Sequence, residues 1–165
     1  MSAVGGWRRQ DGETVDAAGP WKRILLASEG RPFSEAAIAR TLELARRSGA
    51  SVHVLSIARV HGVSFGLPNP GLLPTKREWD EQRASVRTAV KRLRRKGIDA
   101  DGHVLGTRNA TKRIVGKAAS EGCDAIVMAA DPDRSRWLGD MIWTQEPQRV
   151  RRKAGLPVIL VRPGG

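Results

Sequence analysis

Tyrosine is absent from this chain, phenylalanine occurs twice and cysteine once. The lone Cys123 excludes an internal disulfide, and its place just ahead of an apolar run reads as a buried structural thiol rather than a reactive one. With so few aromatics, a stacking surface for nucleic acid would rest on tryptophan almost alone. No apolar stretch approaches the roughly 18–20 residues that cross a bilayer. Residues 1–20 lack the apolar centre of a signal peptide, so no membrane role and a cytoplasmic location are expected. Catalytic constellations are missing as well. There is no Gly-Lys-Ser/Thr loop, no Gly-x-Gly-x-x-Gly, no nucleophile elbow and no His/Cys/carboxylate cluster, which points to binding rather than chemistry.

What the chain does have is positive charge. Lys and Arg number 29 against 17 Asp and Glu, giving +12 and a pI near 11.3. Such a field attracts nucleic acid, anionic lipid and acidic proteins alike, and does not choose among them. Hydrophobic residues at 40% and charged residues at 28% fit one folded domain in 165 residues. Residues 1–20 show no sustained period and read as a mobile tail, leaving 21–165 as the domain.

Apolar period divides that domain into alternating strands and helices. Ile24-Leu25-Leu26-Ala27 is a short buried run closed by the turn chemistry of Ser28-Glu29-Gly30-Arg31-Pro32. Ser34 offers an N-cap to a helix with Ile38, Leu42 and Ala45 on one face, stopped by Gly49. Ser51 to Ala58 reads as the second strand, and its His53 as a satisfied structural residue. His61 to Thr75 reads as a long irregular loop able to fold over a pocket. Lys76 to Lys96 is the longest helix, with an apolar stripe at Trp79, Val86, Val90 and Leu93 and a basic opposite face that reads first as solvated surface. Ile98 to Leu105, broken by Gly102, suits a sheet edge. Asn109 or Thr111 caps a helix ending at Gly122, Ala125 to Ala130 forms a fully apolar strand, and a helix through Arg149 to Ala154 leads to Pro157 to Val161.

Strands alternating with helices in this way imply an α/β domain. The expectation is a doubly wound sheet of five parallel strands, order 3-2-1-4-5, with helices on both faces. In that order the ligand crevice lies beside the first and fourth strands, with Glu29, Gly30, Ala129 and Asp131 at its mouth.

On these residues the chain resembles the universal stress protein family over Trp21 to Pro163. The carriers are Lys22 to Gly30, the capped Ser34-Glu35-Ala36-Ala37, the strand Asp124 to Met128, and Arg149-Val150 leading into Pro157 to Val161. The resemblance implies a homodimer paired through the last strand, here Val158, Ile159, Leu160 and Val161. It also implies an adenine-nucleotide site with Glu29 at the position of the family's nucleotide-contacting acid and Ile57 at the adenine-contacting position. ATP-binding members carry two glycines after the fourth strand and a Gly-Ser or Gly-Thr pair beyond a loop. Here Ala129, Pro132, Thr144 and Gln145 stand at those places. Pro132 removes a backbone donor, and Asp131 and Asp133 repel phosphate, while Arg134, Arg136 and the Thr144 hydroxyl replace lost contacts with charge-assisted ones. The ligands left open are ATP, AMP and cyclic AMP. An alternative is a nucleotide-independent dimeric interaction protein, or a nucleic-acid-binding module using the faces at Lys76 to Lys96 and Arg149 to Lys153.

Overall fold

Strands β1 (Arg23–Ser28), β2 (Ser51–Arg59) and β6 (Ala125–Ala129) are buried at nearly every residue, as strands covered on both faces must be. The computed structural model describes residues 21–59, 63–64, 67–68, 74–130 and 146–162. The expected tail at 1–20 and the loop residues Asp131, Arg134, Thr144 and Gln145 lie outside the described residues. The remaining elements are α1 (Glu35–Ser48), β3 (Val63–Ser64), β4 (Leu67–Pro68), α2 (Lys76–Arg95), β5 (Ala100–Thr107), α3 (Ala110–Ser120), α4 (Glu146–Lys153) and β7 (Val158–Val161).

The main sheet is parallel throughout, in the order β5-β2-β1-β6-β7. Counting only its own five strands, this is the order 3-2-1-4-5 read from the sequence. Alternate strand residues feed two cores. Ile24, Leu26, Val52, Val54 and Val127 pack with α1 and α2, whereas Leu25, Leu55, Ile57, Ile126 and Met128 pack with Ile114 of α3 and Val150 of α4. Edge strands β5 and β7 are less buried.

Local chemistry sets the helix ends. Ser34 accepts from the Ala37 N–H, and Gly49 closes α1 at φ 69°. Thr75 and Glu78 form a reciprocal capping box at the start of α2. Asn109, rather than Thr111, caps α3, and buried Thr111 lies within its first turn.

Three readings need correction. The segment 61–75 is not wholly irregular, because β3 and β4 pair antiparallel as a short hairpin. Gly102 does not break its strand: β5 runs unbroken from Ala100 to Thr107. A Cβ at Gly102 would lie 2.4 Å from Val86 Cγ1, so the glycine is there to let α2 approach the sheet. Among the described residues, His53 is satisfied at one nitrogen only: its Nδ1 lies 2.7 Å from Asp101 Oδ1, and the buried Nε2 has no hydrogen-bond partner among them.

Candidate functional site

Strand order reverses between β1 and β6, where the chain leaves one strand toward α1 and the other toward α4 on the opposite face. The switch-point rule for open parallel sheets puts the ligand crevice at their carboxyl ends. Glu29, one residue past β1, sits there with a side chain only 2% exposed. A carboxylate so buried needs a partner, and Arg31 supplies it: Arg31 Nε donates to Glu29 Oε1. The same guanidinium reaches across the crevice, Nη2 donating to the Ala129 carbonyl at 3.3 Å. Arg31 therefore bridges the ends of β1 and β6.

The turn carrying these groups is held from several sides. Gly30 has φ 126°, a conformation that side-chain-bearing residues rarely adopt. Ser28 Oγ donates to the Arg31 carbonyl and accepts from the Gly30 N–H. Arg59 Nε, at the end of β2, donates to the Glu29 carbonyl at 3.0 Å. From α2, Gln82 Nε2 donates to the Gly30 carbonyl at 2.9 Å, and Ser56 Oγ donates to Gln82 Oε1. Backbone and side chain of the turn are thus fixed before any ligand arrives.

Of the residues read from sequence, Glu29, Gly30 and Ala129 come together at the mouth through Arg31. Ile57 lies fully buried near the end of β2, one register step beyond the Ser28–Ser56 pair, in the core shared with α3. Arg31, Ser56, Arg59 and Gln82 were missed. The Glu29-x-Arg31 spacing just past a strand was a usable signal for the first. Gln82 had none, since only the seating of α2 on the sheet brings it to the turn.

A second polar cluster occupies the opposite end of the sheet, at the amino ends of β1, β2 and β5. Arg23 Nη2 lies 3.2 Å from Asp101 and 3.0 Å from Glu121, with His53 against Asp101 and the His103 ring 5.2 Å from that of His53. Burial works against ionisation of Asp101, but the His53 hydrogen bond and the Arg23 charge outweigh it and hold the carboxyl below its usual range. Glu121 is lowered mainly by its hydrogen bond from Lys117, with Arg23 adding to it. Burial pushes the Cys123 thiol up to about 11. Among the described residues, no group of three His, Cys, Asp or Glu side chains is placed to hold a metal ion, and no helix is long and apolar enough to cross a membrane.

A parallel sheet with this strand order and helices on both faces defines a doubly wound α/β domain, with a paired, buried acid at its strand-order reversal. The chain belongs to the universal stress protein family, whose model matches residues 20–162. Among solved structures, the universal stress protein from Archaeoglobus fulgidus in complex with dAMP is 21% identical, with TM-score 0.62 over 87% of this chain and 99% of that one. A universal stress protein in complex with cAMP is 17% identical, with TM-score 0.61 over 87% and 98%. A family member from Arabidopsis thaliana with AMP bound is 11% identical, with TM-score 0.56 over 87% and 93%. No curated protein matches the chain significantly.

Proposed function

We propose that this protein is a regulatory member of the stress response that acts by binding an adenine nucleotide in the β1/β6 crevice, without catalysing a reaction on it. The observation that carries this reading is Glu29, a buried carboxylate on a pre-fixed turn at the switch point, neutralised by an arginine that can exchange partners. A carboxylate accepts from a ligand's amino or hydroxyl group, and the guanidinium it releases offers a two-pronged contact to phosphate. Similar folds in complex with dAMP, cAMP and AMP support the ligand class.

The number of phosphates follows from the sequence beyond β6. In sequence, Asp131, Pro132 and Asp133 follow β6 where ATP-binding members of the family carry their phosphate-binding glycines, bringing two negative charges and one missing N–H. The ligand is therefore AMP or cyclic AMP in preference to ATP, with Arg31 as its phosphate contact and Arg134 and Thr144 as further candidates. Weak phosphate positioning also argues against ATP hydrolysis. β7, an apolar edge strand with Val158, Leu160 and Val161 half-buried, is the surface through which two copies would pair, in the cytoplasm.

Calorimetric titration with AMP, cyclic AMP and ATP at low and moderate salt tests the proposal. Saturable binding of AMP or cyclic AMP that survives moderate salt and exceeds that of ATP supports it. Tighter binding of ATP, or no binding of any of the three, refutes it.

A further inference from the structure

Two polar side chains stand where the packing calls for apolar ones. On β2, Val52, Val54 and Ser56 alternate onto the face covered by α1 and α2, and Ser56 is fully buried there. On α2, half-buried Gln82 opens the stripe that Val86, Ala89 and Leu93 continue at helical spacing into the same core. The two meet, Ser56 Oγ donating to Gln82 Oε1. Replacing a hydrogen-bonded pair of this kind by apolar groups of similar shape costs a core little, so the seating of α2 does not need it.

What an apolar contact could not do is donate a hydrogen bond to the turn, and Gln82 Nε2 donates to the Gly30 carbonyl at 2.9 Å. A carbonyl only accepts, so it takes the NH2 end of the amide and leaves Oε1 toward Ser56, whose hydroxyl then has to donate. Ser56 thus fixes which way round the amide stands, and the amide fixes the peptide plane between Gly30 and Arg31. The preceding plane is held separately, by Arg59 Nε on the Glu29 carbonyl at 3.0 Å. Gly30 at φ 126° can leave that conformation at little steric cost, so the turn depends on bonds from outside to keep it. Rotation of the Gly30–Arg31 plane would carry Arg31 away from Glu29 Oε1 and the Ala129 carbonyl.

We propose that Gln82, oriented by Ser56, is a positioning residue of the crevice. It acts through the main chain rather than on the ligand, holding the Gly30–Arg31 peptide so that the Glu29 carboxylate and the Arg31 guanidinium meet an incoming nucleotide in fixed register. This rests on the nucleotide reading above for what the turn binds, and on the hydrogen bonds alone for what holds the turn. The crevice is thereby tied to the first half of α2: a ligand that needs the turn in this form also favours the seating of that helix, and loss of the link weakens both.

The test compares the full chain with two variants. Ser56→Ala/Gln82→Met closes the core with apolar groups and removes the donor, whereas Val90→Ala loosens α2 about two turns further on and leaves the pair intact. AMP affinity is read by calorimetry, and amide exchange by NMR at Gly30, whose N–H donates to Ser28 Oγ, relative to Val54 in the middle of β2. The double variant is expected to bind AMP about five- to tenfold more weakly and to exchange Gly30 at least about tenfold faster against Val54. In Val90→Ala the melting temperature falls, while AMP affinity and the Gly30-to-Val54 ratio stay within about twofold of the parent. Unchanged Gly30 exchange in the double variant, the same losses in Val90→Ala, or, where the parent binds AMP, an equal affinity in the double variant overturns the proposal. A parent that binds no AMP while the double variant exchanges Gly30 faster overturns the nucleotide reading instead, and leaves Gln82 as the residue that holds the turn.

Discussion

Gly102→Ala is expected to destabilise the domain although it adds a single methyl group. The new Cβ would meet Val86 Cγ1 at 2.4 Å, and both Val90 Cγ2 and the Val54 carbonyl oxygen at 3.1 Å. Ordinary carbon contacts fall at about 3.5–4.0 Å, so Val86 would have to retreat by more than about 1 Å. It is buried under α2, and the Val54 oxygen belongs to the main chain of β2, so neither gives way freely. Overpacking of this kind costs about 1–3 kcal/mol, and the stiffer unfolded chain returns roughly 0.4–1 kcal/mol. The net loss is about 1–2 kcal/mol, a fall in Tm of roughly 3–8 °C for a domain of this size. Gly116→Ala is the matched contrast, since a Cβ there meets nothing within 4 Å in the middle of α3, and it should raise stability by up to about 1 kcal/mol. Thermal and urea denaturation of both variants checks the pair. A Gly102→Ala protein as stable as the parent would show that α2 does not seat against β5 as described, and with it would go the reason Gln82 reaches the Gly30 carbonyl.

Asp101→Asn should lower Tm at neutral pH, with the gap to the parent narrowing in acid. The folded carboxyl sits below its ordinary 3.8, so the stability it confers is present above that value and is lost as pH falls through the lowered folded one. A pH series of melting curves reads this, and a gap that widens in acid contradicts the sign. Cys123, buried with its thiol pushed up to about 11, should resist alkylation at pH 8 in the native protein and react within minutes in denaturant. Gly30→Ala, forced to φ 126°, should cost about 1–3 kcal/mol in denaturant unfolding and weaken AMP binding alongside it.

The sheet order was legible because apolar runs too short for helices alternated with capped, Gly-terminated periodic segments, and parallel connection rules leave few topologies. Gly102 misled for a physical reason: a strand glycine signals either a break or a close approach, and only the position of Val86 on α2 decides between them. His53 was read as a satisfied structural residue but its partner was not legible, because Asp101 lies 48 positions away in sequence and only the parallel pairing of β2 with β5 sets them side by side. In the crevice, Glu29 and Gly30 were legible from strand end and turn chemistry. The partners that fix them come from β2 and α2, and no local pattern announces Arg59 or Gln82. The basic helix face at Lys76 to Lys96 reads from sequence first as solvated surface, and several of its charges are matched by Glu35, Asp80 and Glu81, the Glu35 pairing being one that only the packing of α1 on α2 reveals.

The most direct test of the central claim is calorimetric titration of AMP into the parent and into Glu29→Gln, which keeps the shape of the side chain and removes its charge. Circular dichroism would confirm that both are folded. One saturable site in the parent, weakened at least about tenfold in the variant, is the expected result, since a charged hydrogen-bond partner is worth about 1.5–3 kcal/mol. Equal affinity in the two proteins, or no binding to the parent, would mean that Glu29 and Arg31 close the crevice on each other and that the protein acts through its other surfaces.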